Sequence, residues 1–379
     1  MAAAAMLDET HEGLPPIPGD INTYKLGTIN QHNVVIAVLP HDGYGTNNAA
    51  AVASNMERSF PSLRVRLMVG IGGGAPGQVD VLLGNVVVSN SVVQYDIGKV
   101  VRDGKFQPKG TSTRPPPELM TAVANLQATH ETRHGGLPRI LAEDLERNPS
   151  MLGFASRCHL QDWLFESTYE HVEGQDTCVH CDASRIQVRP NRPDTYPRIH
   201  HGVVASANRV MKHATTRDEK AEQFNAICFE MEAAGLMTNF PCLIIRGICD
   251  YSDSHKNKQW QPYAATAAAA YAKQFLSVIS VNKSSIKAAH TKTYALDECD
   301  RHQLYDMITY FEGIGKYAIS QGIKFLVYFS SHYYPYIHIE NGIKLTLEDQ
   351  PGHRHDLEKY VRSKLRVGPK KRIEEISDK

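Results

Sequence analysis

The 379-residue chain is short of the features that would mark a secreted, membrane-bound or nucleic-acid-binding protein. Its seven cysteines are an odd number, mostly set in apolar runs, which fits reduced core residues rather than a disulfide framework and points to a cytoplasmic setting. No surplus of either charge exists, with 41 basic against 41 acidic residues, so no overall positive field is available for nucleic acid or an anionic membrane. The N-terminus, Met-Ala-Ala-Ala-Ala-Met-Leu-Asp-Glu, has no basic segment and too short an apolar run for a signal peptide. Nowhere does the chain reach the ~20 consecutive apolar residues of a membrane span. Also absent is any Gly-x-x-x-x-Gly-Lys-Ser/Thr phosphate loop. What remains is a globular chain, 42% hydrophobic, long enough for two domains and suited to a small ligand.

Read in order, residues 2 to 10 carry good helix formers, and Gly13 with Pro15, Pro16 and Pro18 ends that helix. Tyr24 to Leu39 predicts a hairpin turning around Asn30 to Asn33. A helix is expected from about Ala49 to Arg58, capped by Thr46, Asn47 or Asn48. The strand Leu63 to Ile71 runs into Gly72, Gly73 and Gly74; that run opens no helix and has no Lys-Ser or Lys-Thr after it, so by itself it reads as a tight turn. A strand follows within Asp80 to Asn90, with Gln94, Tyr95 and Asp96 close behind.

Residues 103 to 200 read as an insertion holding helices Glu118–His130 and Leu137–Glu146. Within it, Cys178 and Cys181, with Cys158 and His159 upstream, are the one metal-like pattern; a single Cys-x-x-Cys without a spaced second pair is weak, and no metal is assigned. Gly202 to Asn208 reads as a buried strand with a small polar end, and Arg217 to Asn225 as a helix.

Cys228 to Asp253 is the densest stretch. It reads as a polar loop entering a short helix (Met231 to Thr238), a turn at Pro241, and a buried strand (Cys242 to Cys249) ending in acids. An alanine-rich helix, Tyr263 to Ile279, follows. Strand and helix alternate throughout, which predicts an α/β fold with a central mixed sheet. Glu230, Glu232 and Asp250 are placed where such sheets hold ligands. Glu230 and Glu232, two apart, would not share a face, so one is free for a pocket while the other meets backbone. An ionised acid accepts two hydrogen bonds and so suits vicinal ribose hydroxyls. Asp250, after an apolar strand, is a candidate general acid; capping of the next segment is the competing reading.

Phe229-Glu-Met-Glu-Ala-Ala-Gly, together with Arg246-Gly-Ile-Cys-Asp-Tyr-Ser-Asp, closely resembles the nucleoside phosphorylase and purine nucleosidase superfamily, specifically the fungal nucleosidase-like domains that precede NACHT-type NTPase modules. The resemblance extends through Val69 to Pro76, Asp80 to Ser89, Gln94 to Asp96 and Gly202 to Lys212, and covers about residues 5 to 282. It implies a three-layer α/β/α domain over 1–282 and cleavage of a purine nucleoside at its N-glycosidic bond. Matched motif to motif, Asp250 would protonate the purine N7, Glu232 would bind the ribose hydroxyls, Met231 would pack beneath the sugar and Glu230 would support the sugar or the attacking water. Gly72 to Gly74 would face the nucleophile, with Phe229, Ser206 and Asn208 completing the substrate surface. Such a transition state is oxocarbenium-like and gains from an acid on the leaving base. No arginine stands beside Gly72 to Pro76 in sequence, so water is preferred over phosphate as co-substrate. No cofactor is implied, and a homo-oligomer is expected because family sites borrow residues from a neighbouring subunit.

Family members begin with a strand and loop ahead of the first helix, and this chain is expected to lack them. Residues 283–294 read as a linker. Residues 295–379 resemble part of a NACHT-type STAND NTPase without its phosphate loop: Ala295-Leu-Asp-Glu-Cys-Asp matches the Walker-B acids, and Phe329 to Pro335 the following sensor strand, with His332 where an arginine is usual. Helices are expected at Gln303–Gln321 and Arg354–Leu365. The competing reading of the whole chain is a non-catalytic nucleoside-sensing or assembly module derived from a STAND-type immune receptor.

Overall fold

The computed structural model describes residues 2–15, 17–109, 112–132, 136–148, 160–190 and 196–280, and four strands beyond them. The chain divides into two compact units, Met1–Ser280 and Val281–Lys379. In chain order the first unit contains α1 (Ala2–Ala5), β1 (Glu9–His11), β2 (Tyr24–Ile29), β3 (His32–Ala37), α2 (Thr46–Ser59), β4 (Leu67–Gly74), β5 (Val86–Gln94), β6 (Gly98–Val100), β7 (Phe106–Pro108), β8 (Ser112–Thr113), α3 (Pro117–Thr132), α4 (Leu137–Arg147), β9 (Ile199–Ser206), α5 (Ala214–Phe224), β10 (Ala226–Glu230), α6 (Ala233–Met237), β11 (Leu243–Asp250) and α7 (Gln261–Val278). The second unit adds β12 (Thr293–Leu296), β13 (Phe325–Phe329), β14 (Tyr336–Ile339) and β15 (Ile343–Thr346).

The main sheet has the order β11-β4-β10-β9-β5-β8, and β11 also pairs with β5, so the sheet closes on itself. It is mixed, as expected: β4 and β11 run parallel to each other, β5, β9 and β10 form a second parallel set, and β10 pairs β4 antiparallel. Side-chain alternation in the buried strands separates two cores. Leu243 and Ile245 of β11, with Val86 and Val88 of β5, face α7, α3 and α4. Ile244 and Ile248, with Val87, face α2 and α6. Helices therefore cover both faces, and the unit is α/β/α.

Several elements differ from the sequence reading. Only Ala2–Ala5 is helical at the start, and Glu9–His11 becomes the outer strand of a separate sheet, β1-β2-β3. The tie is Asp8: its carboxylate accepts from Lys273 Nζ of α7 at 2.8 Å and from the Asn30 amide at 2.6 Å. Helices α3 and α4 are no insertion; Leu119, Val123, Leu126, Leu137, Ile140 and Leu141 are buried in the core beneath α7. The triple glycine is strand, not turn, because β4 runs on through Gly74 between two partners. Ala226 to Glu230 is a fully buried strand rather than a polar loop.

In the second unit, β12, β13 and β15 run parallel, and β14 pairs β15 antiparallel. The strands read near Lys324 to Ser330 and Tyr336 to Leu347 are present there as β13, β14 and β15. The acids at 297, 298 and 300 matched to a Walker-B segment, His332 and the helices read at 303–321 and 354–365 lie outside the described residues, as do Cys158 and His159.

Candidate functional site

Glu230 ends β10 because its carboxylate satisfies the first amides of the next helix: it accepts from Glu232 N at 3.1 Å and from Ala233 N at 3.0 Å. The same carboxylate is paired with the buried Arg246 guanidinium of β11, which also meets Glu232 Oε2 at 3.1 Å. Two acids against one cation leave one net negative charge. Burial, the largest influence, raises the Glu232 pKa, Arg246 lowers it and Glu230 raises it; the net shift is upward. For Arg246, burial pulls down, and the two carboxylates outweigh it so that the guanidinium is held charged.

Around this triad segments distant in sequence converge. Gly45 donates its amide to Glu232, and a Cβ on Gly235 would collide with the Thr46 backbone, so only glycine lets α6 approach the start of α2 this closely. The acceptor at that helix start is not Thr46, Asn47 or Asn48 but Asn208 Oδ1, which accepts from Thr46 N at 2.9 Å from 162 residues away. Asn208 N in turn donates to Asp96 at 2.8 Å, Ser206 Oγ accepts from Ala234 N at 3.0 Å, and Phe229 packs edge-on against Tyr95. Met231 is half-buried at the turn between the two glutamates.

Asp250 lies on the other side of β4. It is 4% exposed, accepts from Ser252 N at 2.9 Å, and is ion-paired to Lys256 Nζ at 3.1 Å. Burial pulls the Lys256 pKa down and the Asp250 carboxylate, the next influence, reverses it to a net rise. The glycine run explains how these groups fit. A Cβ on Gly73 would collide with Ser252 Oγ and lie 2.6 Å from Asp250 Oδ1; on Gly72 it would lie 2.7 Å from Cys228 Sγ and on Gly74 3.0 Å from Ile248. The glycines make room for protein side chains.

Asp250 opens into a cleft of about 230 Å³ that it shares with Trp163, Trp260, Gln161, Asp253 and His255. Burial raises Asp253 to about 6, against the pull of Arg217 at 3.5 Å, and lowers His255 to about 4 with help from His171. The structure thus gathers Glu230, Glu232, Ser206, Phe229 and Asn208 around one triad, and Asp250 with Gly73 around a second centre. Sequence reasoning missed Arg246, Lys256, Trp163, Trp260 and His255. An arginine inside the apolar run Leu243 to Cys249 was the available signal for the first; the two tryptophans carry no local signal.

No protein-family model matches the chain. A curated relative, the nucleotide-binding leucine-rich repeat (NLR)-like protein of Hyaloscypha variabilis, is 44% identical over 288 residues, which is 74% of this chain. The similarity is to an NLR-like protein. The chain spans 28% of that relative's length. Among solved structures, the 5'-methylthioadenosine/S-adenosylhomocysteine nucleosidase of Neisseria meningitidis, bound to methylthio-immucillin-A, is 15% identical with a TM-score of 0.46, covering 74% of this chain and 96% of that one. The futalosine hydrolase of Helicobacter pylori is 14% identical with a TM-score of 0.47, covering 73% and 92%.

Proposed function

We propose that the Met1–Ser280 unit binds a purine nucleoside and hydrolyses its N-glycosidic bond. The observation that carries this reading is the Asp250 carboxylate at the wall of a cleft flanked by Trp163 and Trp260. An indole face suits a flat base, and a carboxyl group at its edge suits a ring nitrogen. In the reaction the proton held by the Asp250–Lys256 pair passes to the purine N7 as the bond from base to anomeric carbon breaks. Water oxygen bonds to that carbon and gives up its proton to solvent, which restores the pair. Glu232 does not line the Asp250 cleft; the ribose hydroxyls are assigned to it on the motif resemblance, and Glu230 holds it in place through Arg246. The motif resemblance over Phe229 to Gly235 and Arg246 to Asp253 supports the same roles, and a cytoplasmic homo-oligomer is the assembly it suggests.

The test is release of free base from adenosine or inosine, with and without phosphate. Release without phosphate supports hydrolysis; release only with phosphate converts the reading to phosphorolysis. Silence under both conditions overturns catalysis. A second reading, favoured by the engagement of both glutamates with Arg246 and of Asp250 with Lys256, is a nucleoside-sensing module without turnover, in keeping with the NLR-like relative. Calorimetric binding of adenosine without base release would establish it.

A further inference from the structure

One side-chain cluster takes no part in the proposed reaction. His171, Cys178 and Cys181 each bring one donor atom within 4.8 Å of the other two. The two cysteines belong to a tight turn in which Cys181 N donates to Cys178 O at 3.1 Å. A turn closed across Cys-x-x-Cys is the local geometry that lets two thiolates reach one ion. Both sulfurs are free thiols.

His171 supplies the third donor from seven residues upstream, and its surroundings are those of a ligand. Its ring Nε2 is engaged by the Thr177 carbonyl at 3.2 Å, which fixes that nitrogen as the N–H and leaves Nδ1 with the lone pair. Its backbone amide donates to Ser254 Oγ at 3.0 Å. A tetrahedral zinc ion, with bonds of about 2.3 Å to sulfur and about 2.0 Å to nitrogen, spaces its donors about 3.5–3.8 Å apart. The cluster therefore needs a contraction of about 1 Å, within the reach of side-chain rotation.

We propose that His171, Cys178 and Cys181 bind one zinc ion, which clips the 171–181 segment into the wall of the Asp250 cleft. Thr177, Cys178 and Val179 line that cleft directly, so the clip sets the position of the wall facing Asp250 and Trp260. Two soft thiolates and an imidazole select zinc over calcium or magnesium. Zinc binding replaces each thiol proton with a bond to the metal and releases the protons to solvent. The fourth position is taken by water.

The test is metal content of the full chain purified without chelator and then equilibrated with zinc chloride and desalted. One zinc per chain is expected, and cobalt in its place should give a thiolate-to-metal charge-transfer band with the strong visible absorption of a tetrahedral ion. Cys181→Ser, at a half-buried position, should lower retained zinc at least tenfold and abolish the cobalt band while the circular dichroism of the main sheet stays unchanged. Retention of less than a tenth of an equivalent by the unaltered chain, or a Cys178–Cys181 disulfide found by mass spectrometry under reducing purification, overturns the proposal. Neither readout depends on base release, so the proposal and the nucleosidase reading stand or fall separately.

Discussion

Arg246 and Glu230 are 16 residues apart in sequence and directly ion-paired across the sheet interior, with Glu232 sharing the same guanidinium nitrogen at 3.1 Å. The triad connects β11 to the junction of β10 and α6, so the two glutamates and the strand that carries Asp250 are held by one cation. A buried charge that loses its partner is costly, so the cluster is sensitive to the loss of Arg246.

Arg246→Met leaves two buried carboxylates uncompensated. We expect a loss of about 3–5 kcal/mol in urea denaturation. Glu232→Gln removes the surplus negative charge, leaves the Arg246–Glu230 pair intact, and should cost about 1 kcal/mol or less. Equal losses in the two variants would contradict the charge arrangement described.

Gly73→Ala tests whether the glycine run serves packing. Its Cβ would meet Ser252 Oγ and Asp250 Oδ1, whereas a Cβ on Gly77 meets nothing within 4 Å. Overpacking of this kind costs about 1–3 kcal/mol, so Gly73→Ala should lower stability by that amount and Gly77→Ala by much less. The measurement is again denaturation, with adenosine binding as a second readout of the displaced Asp250.

Much of the fold was legible in the sequence because long apolar runs declare themselves: Leu243 to Cys249, Gly202 to Ser206 and the alanines of α7 all became the elements expected. The failures have physical causes. Ala226 to Glu230 is a buried strand of only five residues, too short to show alternation and ended by an acid that reads as loop. Gly72 to Gly74 read as a turn because what fills the space above them, Cys228, Asp250 and Ser252, comes from segments more than 150 residues away. The same limit hid Asn208 at the start of α2. The sequence singled out the carboxylates one by one, and their division between Arg246 and Lys256 is a tertiary fact.

Asp253 and His255 should give opposite slopes of stability against pH. Asp253 is raised to about 6 from an ordinary 3.8, so its contribution is full below about 3.8 and lost as pH rises through 6. His255 is lowered to about 4 from 6.5, so its contribution is full above 6.5 and lost as pH falls through 4. The windows overlap and partly cancel between about 4 and 6. In Asp253→Asn the cancellation goes, and stability should climb more steeply with pH across that interval than in the unaltered chain. An unchanged or shallower slope in thermal melts between pH 4 and 6.5 would contradict these environments.

Asp250→Asn separates the chemistry of the cleft from its shape. The amide keeps the size of the side chain and can still accept from Ser252 N, so adenosine binding should fall by less than about tenfold, while base release should drop by a factor on the order of 10² to 10⁴, the scale of general acid catalysis. The same substitution has an electrostatic consequence that needs no turnover. Burial pulls the Lys256 pKa down, and the Asp250 carboxylate is the largest influence holding it up. Once that charge is removed, Lys256 should titrate lower than in the unaltered chain. Isotope-labelled lysine followed by NMR across the alkaline range measures this directly. A Lys256 titration that does not move would mean that the 3.1 Å pair is not formed in solution, and the proton route assigned to it would fail with it.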